Sequence, residues 1–398
     1  MKLNGEQPAV RALDSFTPDQ VERARRYHRP LYLLLLVDLV LDFALLLFLS
    51  FGPLGDWMDA WLHGLPFWAE ALAWPALVVA LGWVLGLPLS YWRGHLHERR
   101  WGFSTQTARG WLLDRLKGLS VAEVLTTLAL FGFLAGVHVF PQSWPALVVP
   151  GAAAIVLFLS FLAPVVLEPI FNRFRPLDDR AMADDLRGLA ERAGVPVRDV
   201  LVADASRRTR KENAYVSGLG KTRRVVVYDT LLTRAQPEEI RLVAAHELGH
   251  RRMRHVAWWT AIGMAGAVGA ILLLWALLEL QPVLRAIGVS EADDPRVVPF
   301  VMLVAGGLQL VGMPLAAALS RRWESAADRF ALELTRDPGI FASSLRALAV
   351  SNLLDLDPPR LAYVMAFTHP TPPERIAAGR RWAGGQGITS PNPPTTAS

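Results

Sequence analysis

The chain has 398 residues, of which 52 % are hydrophobic and 19 % are charged, and its formal net charge is +5. The apolar share exceeds that of ordinary globular proteins and argues against a purely soluble architecture. The absence of cysteine excludes disulfides, thiol catalysis and cysteine-ligated metal.

Six apolar stretches approach the roughly 20 residues that a helix needs to cross a bilayer. In chain order they are residues 31–52, 68–90, 121–140, 145–167, 257–280 and 298–319. They predict a mainly α integral membrane protein. The polar first thirty residues lack the short apolar core and cleavage site of a signal peptide, so we expect the first run to be a retained membrane anchor.

Basic residues alternate between the segments that connect these runs. The segments rich in Arg and Lys are 1–30, 91–120, 168–256 and the chain after residue 319. The loops 51–67 and 141–144 carry none, and 281–297 carries two beside three acids. Because cytoplasmic loops carry the excess of positive charge, we expect both termini and segment 168–256 to be cytoplasmic.

Segment 168–256 has the mixed pattern of a soluble α+β domain. A helix is predicted over 180–193, and strands over 198–204 and around Val225–Val227. Pro237 opens a further helix, because proline and acidic residues suit a first helical turn. The last fifteen residues, GGQGITSPNPPTTAS, are expected to form a disordered tail.

The helix that begins at Pro237 carries the sequence His246-Glu247-Leu248-Gly249-His250. Histidines four residues apart project from the same helix face, so His246 and His250 can bind one Zn²⁺ ion. Glu247 lies just off that face, where it can take a proton from a water that zinc activates without being a ligand itself. The structural alternative is a surface helix with two idle histidines.

A catalytic zinc ion usually has three protein ligands, so a third ligand is expected elsewhere in the chain. The best candidate is Glu324, just after the sixth apolar run, with Asp328 one turn further on. Asp328 can accept a hydrogen bond from a ligand imidazole and so fix its tautomer. By themselves, acids at this spacing are equally typical of a solvated helix face.

Two carboxylates, Asp38 and Asp42, lie one turn apart inside the first apolar run. Intramembrane carboxylates usually face a cavity or a partner group. Either they line a chamber, or they pack against an unseen partner helix.

These motifs together resemble the M48 family of zinc metallopeptidases, and within it the Ste24, or CAAX prenyl protease 1, branch. The His-Glu-x-x-His sequence is joined by Glu324-Ser-Ala-Ala-Asp328, which matches the Glu-x-x-Ala-Asp of the family. Segments 98–107, 168–177, 206–232 and 368–376 also look like family elements, and the resemblance covers residues 16–376. Eukaryotic members have seven membrane helices around a hollow chamber. This chain has six, and its sequence matches from the segment before their second.

The resemblance implies one Zn²⁺ per chain, bound by His246, His250 and Glu324, with Glu247 activating water. It implies that His369 stabilises the oxyanion and that Arg375 supports the site beside Asp328. It also implies that Asn213 and Ala214 lie on an edge strand that binds the substrate backbone. Without the resemblance, His369 reads as part of a turn and Arg375 as a surface charge.

We therefore expect a membrane-embedded zinc endopeptidase that resembles CAAX prenyl proteases. Its partners would be membrane lipid and a peptide or protein with an apolar or prenylated carboxyl terminus, and no nucleic acid is expected. The alternatives are a quality-control protease of membrane proteins, like the HtpX branch of the same family, and an inactive scaffold or lipid-binding chamber. An intact zinc triad with Glu247 argues against the last.

The sequence divides into six expected segments. They are a cytoplasmic amino-terminal segment (1–30), a four-helix membrane domain (31–167), a catalytic domain of zincin type (168–256), two further membrane helices (257–319), a completion of the catalytic domain with the third ligand (320–383), and the tail (384–398).

Overall fold

The computed structural model describes residues 13–162, 166–218 and 220–388. The predicted tail therefore lies outside the described residues from 389 onward. Its first two residues still belong to a helix that runs to Gly385.

Six helices of the described chain are long and apolar enough to cross a membrane, as the six apolar runs predict. Three of the six, those that begin at Pro18, Ala108 and Val298, extend well past the predicted span, because polar helical turns continue them. Their bounds are α1 Pro18–Phe51, α3 Phe67–Tyr91, α4 Ala108–Val139, α5 Trp144–Leu162, α10 His255–Leu278 and α12 Val298–Thr335. A π-helical stretch, Trp92–His97, and a final turn, Glu98–Arg100, continue α3.

Shorter helices connect or flank these spans. Several of them begin at ordinary start signals, such as the capping box of Thr371 and Glu374 at the start of the last helix. Their bounds are α2 Pro53–Leu62, α6 Glu168–Phe171, α7 Arg180–Arg192, α8 Asp229–Leu232, α9 Pro237–Arg252, α11 Gln281–Ala286, α13 Pro338–Ser351, α14 Arg360–Ala366 and α15 Pro372–Gly385.

The intramembrane carboxylates have different surroundings. Asp38 pairs with Arg93 of the helical extension of α3, at 2.7 Å. Asp42 lines a cavity of about 480 Å³ between the membrane helices, together with Gln309 of α12. Asp38 therefore has a partner within the chain, whereas Asp42 faces a cavity, as intramembrane carboxylates commonly do.

One four-stranded sheet lies in the soluble part, in the order β1-β2-β4-β3. Its strands are β1 Phe174–Pro176, β2 Asp199–Ala203, β3 Ala214–Ser217 and β4 Arg224–Tyr228. The central pair, β2 and β4, is parallel, and both outer strands are antiparallel to their neighbours. The two predicted strands are confirmed as the centre of this sheet, and β3 forms one edge.

The soluble core joins this sheet to the helices that carry the predicted site. Leu186 and Leu189 of α7 and Leu248 of α9 are fully buried, with Val225 and Val227 of β4 in the same cluster. α12 runs unbroken from the membrane bundle into this core. The fold thus fixes α9 against both the sheet and a membrane-derived helix.

Candidate metal centre

Local signals in the sequence set the start and the end of α9. Gln236 and Glu239 form a capping box, and Pro237 occupies the first turn. The helix ends at Arg252, and Arg254 takes a left-handed conformation, with φ 58°, before α10 starts. His246 and His250 therefore sit one turn apart near the carboxyl end of a well-defined helix.

Gly249 lets α9 approach α12 closely. A Cβ atom at this position would lie 3.3 Å from Ala327 Cα and 3.1 Å from a ring carbon of Phe330. Both contacts are tight, and Ala327 presents backbone that cannot rotate away. The glycine of the motif thus brings the two histidines within reach of Glu324 on α12.

We expect Gly249→Val to destabilise the protein by about 1–3 kcal/mol through overpacking, and to weaken metal binding. The larger side chain pushes α12, and with it Glu324, away from the histidines. Thermal unfolding and metal content of the purified protein in detergent measure both effects. Gly266→Val is the matched control, since a Cβ there meets nothing within 4 Å. Equal behaviour of the two variants would contradict this role for Gly249.

Three donor atoms converge between α9 and α12. His246 Nε2 and His250 Nε2 are 3.2 Å apart; His246 Nε2 lies 3.2 Å from Glu324 Oε2, and His250 Nε2 lies 3.2 Å from Glu324 Oε1. Ligands about 2.0 Å from a tetrahedral zinc ion are themselves roughly 3.3 Å apart, so the spacing fits such an ion. Glu324 Oε2 is buried and makes no hydrogen bond with acceptable geometry. The group suits a bound cation.

Asp328 and Arg375 support His246 from behind. Asp328 Oδ1 lies 2.9 Å from His246 Nδ1, and Arg375 donates to both carboxylate oxygens of Asp328, at 2.8 and 2.5 Å. Burial lowers the pKa of His246, but the neighbouring Asp328 and Glu324 outweigh it and raise the pKa to about 9. The site thus favours positive charge at this ring, and a metal ion would displace a proton from it.

A residue that sequence reasoning missed holds His250. His255, the first residue of α10, places its Nδ1 2.9 Å from His250 Nδ1. Its ring stacks on Trp323 with centroids 4.8 Å apart and an interplanar angle of 7°. Trp323 directly precedes Glu324 in the chain. The stacked pair therefore connects the residue that contacts His250 to the helix that carries Glu324. The only sequence signal was a histidine five residues after His250.

Glu247 is partly buried beside the two histidines. Burial raises the pKa of its carboxyl, and His246 and His250 act in the opposite direction. A carboxylate with a raised pKa is a better proton acceptor near neutral pH. The position and the acidity of Glu247 both suit a general base.

His369 approaches the same three-residue group from the loop before α15. Its Nε2 lies 3.3 Å from Glu324 Oε1, and its side chain remains 58 % exposed. Its Nδ1 lies 2.9 Å from the hydroxyl oxygen of Thr368. The structure thus places His369 beside Glu324 and Arg375 beside His246.

The edge strand β3 lies against α9. The N–H of Tyr228 donates to the carbonyl of Asn213, so in the antiparallel alternation Ala214 and Val216 direct their N–H and C=O groups away from β4. Arg251 of α9 donates to the outward carbonyl of Val216. Among the described residues the outward groups of Ala214 have no strand beside them, which leaves room for an added strand.

Comparison with known proteins gives the family. Residues 176–383, more than half of the chain, match the profile of peptidase family M48. The chain belongs to peptidase family M48. Residues 2–173 of this M48 peptidase match the profile of the CAAX prenyl protease N-terminal region, which is described as five membrane helices.

Relatives of this M48 peptidase span most of its length. The uncharacterized metalloprotease YhfN of Bacillus subtilis is 26 % identical over 368 residues, which cover 90 % of this chain and 85 % of YhfN. CAAX prenyl protease 1 of Saccharomyces cerevisiae is 26 % identical over 328 residues, 78 % of this chain and 72 % of the yeast protein. The M48 peptidase is therefore a multi-pass membrane metalloprotease.

The crystal structure of Ste24p from S. mikatae has the same fold. Its TM-score to this chain is 0.81, with 24 % sequence identity over 92 % of this chain and 90 % of Ste24p. The predicted fold class, membrane helices with a small catalytic sheet, is confirmed.

Proposed function

We propose that the protein is a zinc endopeptidase whose centre is formed by His246, His250 and Glu324. The observation that carries the proposal is the convergence of both Nε2 atoms and the Glu324 carboxylate between two packed helices, with each Nε2 atom 3.2 Å from a carboxylate oxygen. Two imidazole nitrogens and a carboxylate oxygen, with a fourth position open, form a ligand set typical of catalytic zinc. One zinc ion per chain is expected.

In this proposal each residue around the centre has a separate role in peptide hydrolysis. Bound zinc would lower the pKa of water to about 7 and polarise the scissile carbonyl. Glu247 takes the proton from the attacking water and then gives it to the leaving amine. His369, partly exposed beside Glu324, donates to the oxygen on which negative charge develops.

The β3 edge is the proposed binding place for the substrate backbone. Ala214 offers its outward N–H and C=O, and Asn213 precedes it in the same extended segment. A peptide that adds here as a further strand gains main-chain hydrogen bonds regardless of its sequence. The names of the yeast and plant relatives support a prenylated or apolar carboxyl terminus as the determinant of specificity.

We further propose that the centre faces the cytoplasm. The arrangement of basic segments supports this orientation. Residues 168–256 and the chain after residue 319, which contain the proposed metal ligands, both carry an excess of Arg and Lys, as cytoplasmic segments do.

A farnesylated CAAX peptide tests the function in detergent-solubilised full-length protein, with zinc content measured on the same sample. We expect about one zinc per chain and cleavage that a chelator abolishes. Zinc without cleavage of the prenylated peptide would contradict the prenyl specificity, and unfolded membrane proteins would then be tested. A protein that binds no zinc would contradict the peptidase proposal itself.

His255 is proposed to hold the ring of His250 in the orientation that points Nε2 at the metal. We expect His255→Ala to weaken zinc affinity about 10- to 100-fold, as loss of a group behind a ligand histidine commonly does. Competition with a chromophoric chelator measures the affinity without relying on activity. His255→Asn, which keeps a polar group, should restore part of it, and an unchanged affinity in His255→Ala would refute the role.

A further inference from the structure

A pocket lined by five arginines lies behind the metal centre, on the side of Asp328 away from Glu324. Its volume is about 830 Å³, and we name it the arginine pocket. Its basic lining residues are Arg321, Arg322, Arg329, Arg375 and Arg381. Only two carboxylates, Asp328 and Glu374, face it.

The carboxylates of the pocket already have partners. Asp328 is held by Arg375 and His246, and Glu374 accepts from Tyr363 and Thr371. They cannot neutralise the remaining guanidinium groups. The arginine pocket therefore keeps a net positive charge.

Of the remaining guanidinium groups, Arg329 pairs at 2.9 Å with Glu333, a carboxylate outside the pocket lining. The other three lack carboxylate partners within the described part of the chain. Arg321 donates to the carbonyls of Tyr363 and Phe367, which leaves its charge uncompensated. Among residues 13–162, 166–218 and 220–388, Arg322 and Arg381 form no ion pair. Planar guanidinium groups are well suited to bind phosphate through paired hydrogen bonds.

The arginine pocket lies close to the membrane. Arg321 follows Leu315 by six residues of one continuous helix, a rise of about 9 Å. Leu315 is 75 % exposed, as expected for a side chain in contact with lipid. Leu361 and Val364 are also exposed, on α14, the helix that carries Tyr363 and packs beside α12. An apolar rim beside a cationic pocket is typical of surfaces at the headgroup level.

We propose that the arginine pocket binds the headgroup of an anionic phospholipid, with the phosphate between Arg322 and Arg381. Basic pockets beside membrane helices on the cytoplasmic side bind such headgroups. Asp328 and Arg375 form the inner wall, and Asp328 contacts His246, so one side chain separates the bound lipid from His246. The proposal depends on the membrane location of the chain and not on its peptidase activity.

Binding of phosphatidylglycerol and of phosphatidylcholine to full-length protein in detergent, followed by native mass spectrometry, tests the proposal. We expect phosphatidylglycerol to be retained preferentially. Arg322→Gln/Arg381→Gln should bind it roughly 30-fold more weakly, since each arginine near an anionic headgroup contributes about a fivefold effect. Both side chains are exposed, so the double variant should keep its fold, which zinc content and thermal unfolding check.

The matched control is Arg192→Gln/Arg380→Gln, which removes the same charge from two exposed positions outside the pocket. Its affinity should stay within about twofold of the wild type. Equal losses of phosphatidylglycerol affinity in both double variants would show that binding depends on net charge alone, and would overturn the site. Equal binding of the two lipids would also overturn it. Displacement by millimolar inorganic phosphate or glycerol phosphate would assign the pocket to a soluble anion instead.

Discussion

Replacement of Glu247 by Gln is expected to lower kcat for peptide hydrolysis by at least about 10³-fold while zinc stays bound. The amide keeps the size and the hydrogen-bonding capacity of the side chain but cannot accept the proton of the attacking water. His246, His250 and Glu324 are untouched, so the metal content should remain about one per chain. Single-turnover cleavage and metal analysis on the same preparation measure both quantities.

Glu238→Gln is the matched control, because Glu238 lies on the same helix, is exposed and faces away from the centre. It should retain nearly full activity. If Glu247→Gln cleaved peptide within tenfold of the wild type, another group would have to be the base. If it lost zinc instead, the result would indicate a structural defect rather than a chemical one.

Arg375→Gln is expected to destabilise the protein by about 3–5 kcal/mol, because it leaves a buried carboxylate without its counter-charge. The side chains of Arg375 and Asp328 are only 15 % and 6 % exposed, so solvent compensates little of the loss. The pKa of Arg375 is raised by Asp328, although burial acts against it, so the arginine is charged in the native state. The thermal unfolding midpoint in detergent should fall by several degrees.

A double-mutant cycle separates the ion pair from other losses. Asp328→Asn/Arg375→Gln should be less destabilised than the sum of the two single variants, because neither charge is then buried alone. Arg380→Gln, an exposed position on the same helix, should leave the midpoint unchanged. Additive effects in the cycle would show that Arg375 acts through packing and not through Asp328.

The membrane helices and the first two predicted ligands could be predicted from local sequence because their signals are local. An apolar run of sufficient length has few alternatives to a membrane helix. The spacing of His246 and His250 fixes both on one helix face before any tertiary contact is known. Glu324 was harder, since an acid on a polar helix face usually has no partner. The sequence offered it as the best candidate, and the resemblance supplied the support that its spacing to Asp328 lacked.

Contacts between distant segments could not be predicted in the same way. His255 joins the site because α9 ends at Arg252 and the chain reverses through Arg254 in a left-handed conformation. The Asp38–Arg93 pair arises because α3 continues as a π-helical stretch past its apolar part. The sheet order likewise depends on a parallel pairing of β2 with β4 that no pattern within either strand specifies.

The unbroken course of α12 fixes how far Glu324 lies beyond the sixth apolar run. Glu324 follows the predicted end of the sixth apolar run, Leu319, by five residues, an axial rise of about 7.5 Å. An extended peptide covers that distance in two or three residues, at about 3.3–3.6 Å each. For a substrate tethered in the leaflet, the length of α12 between the apolar run and Glu324 would thus favour cleavage of bonds two or three residues from the tether.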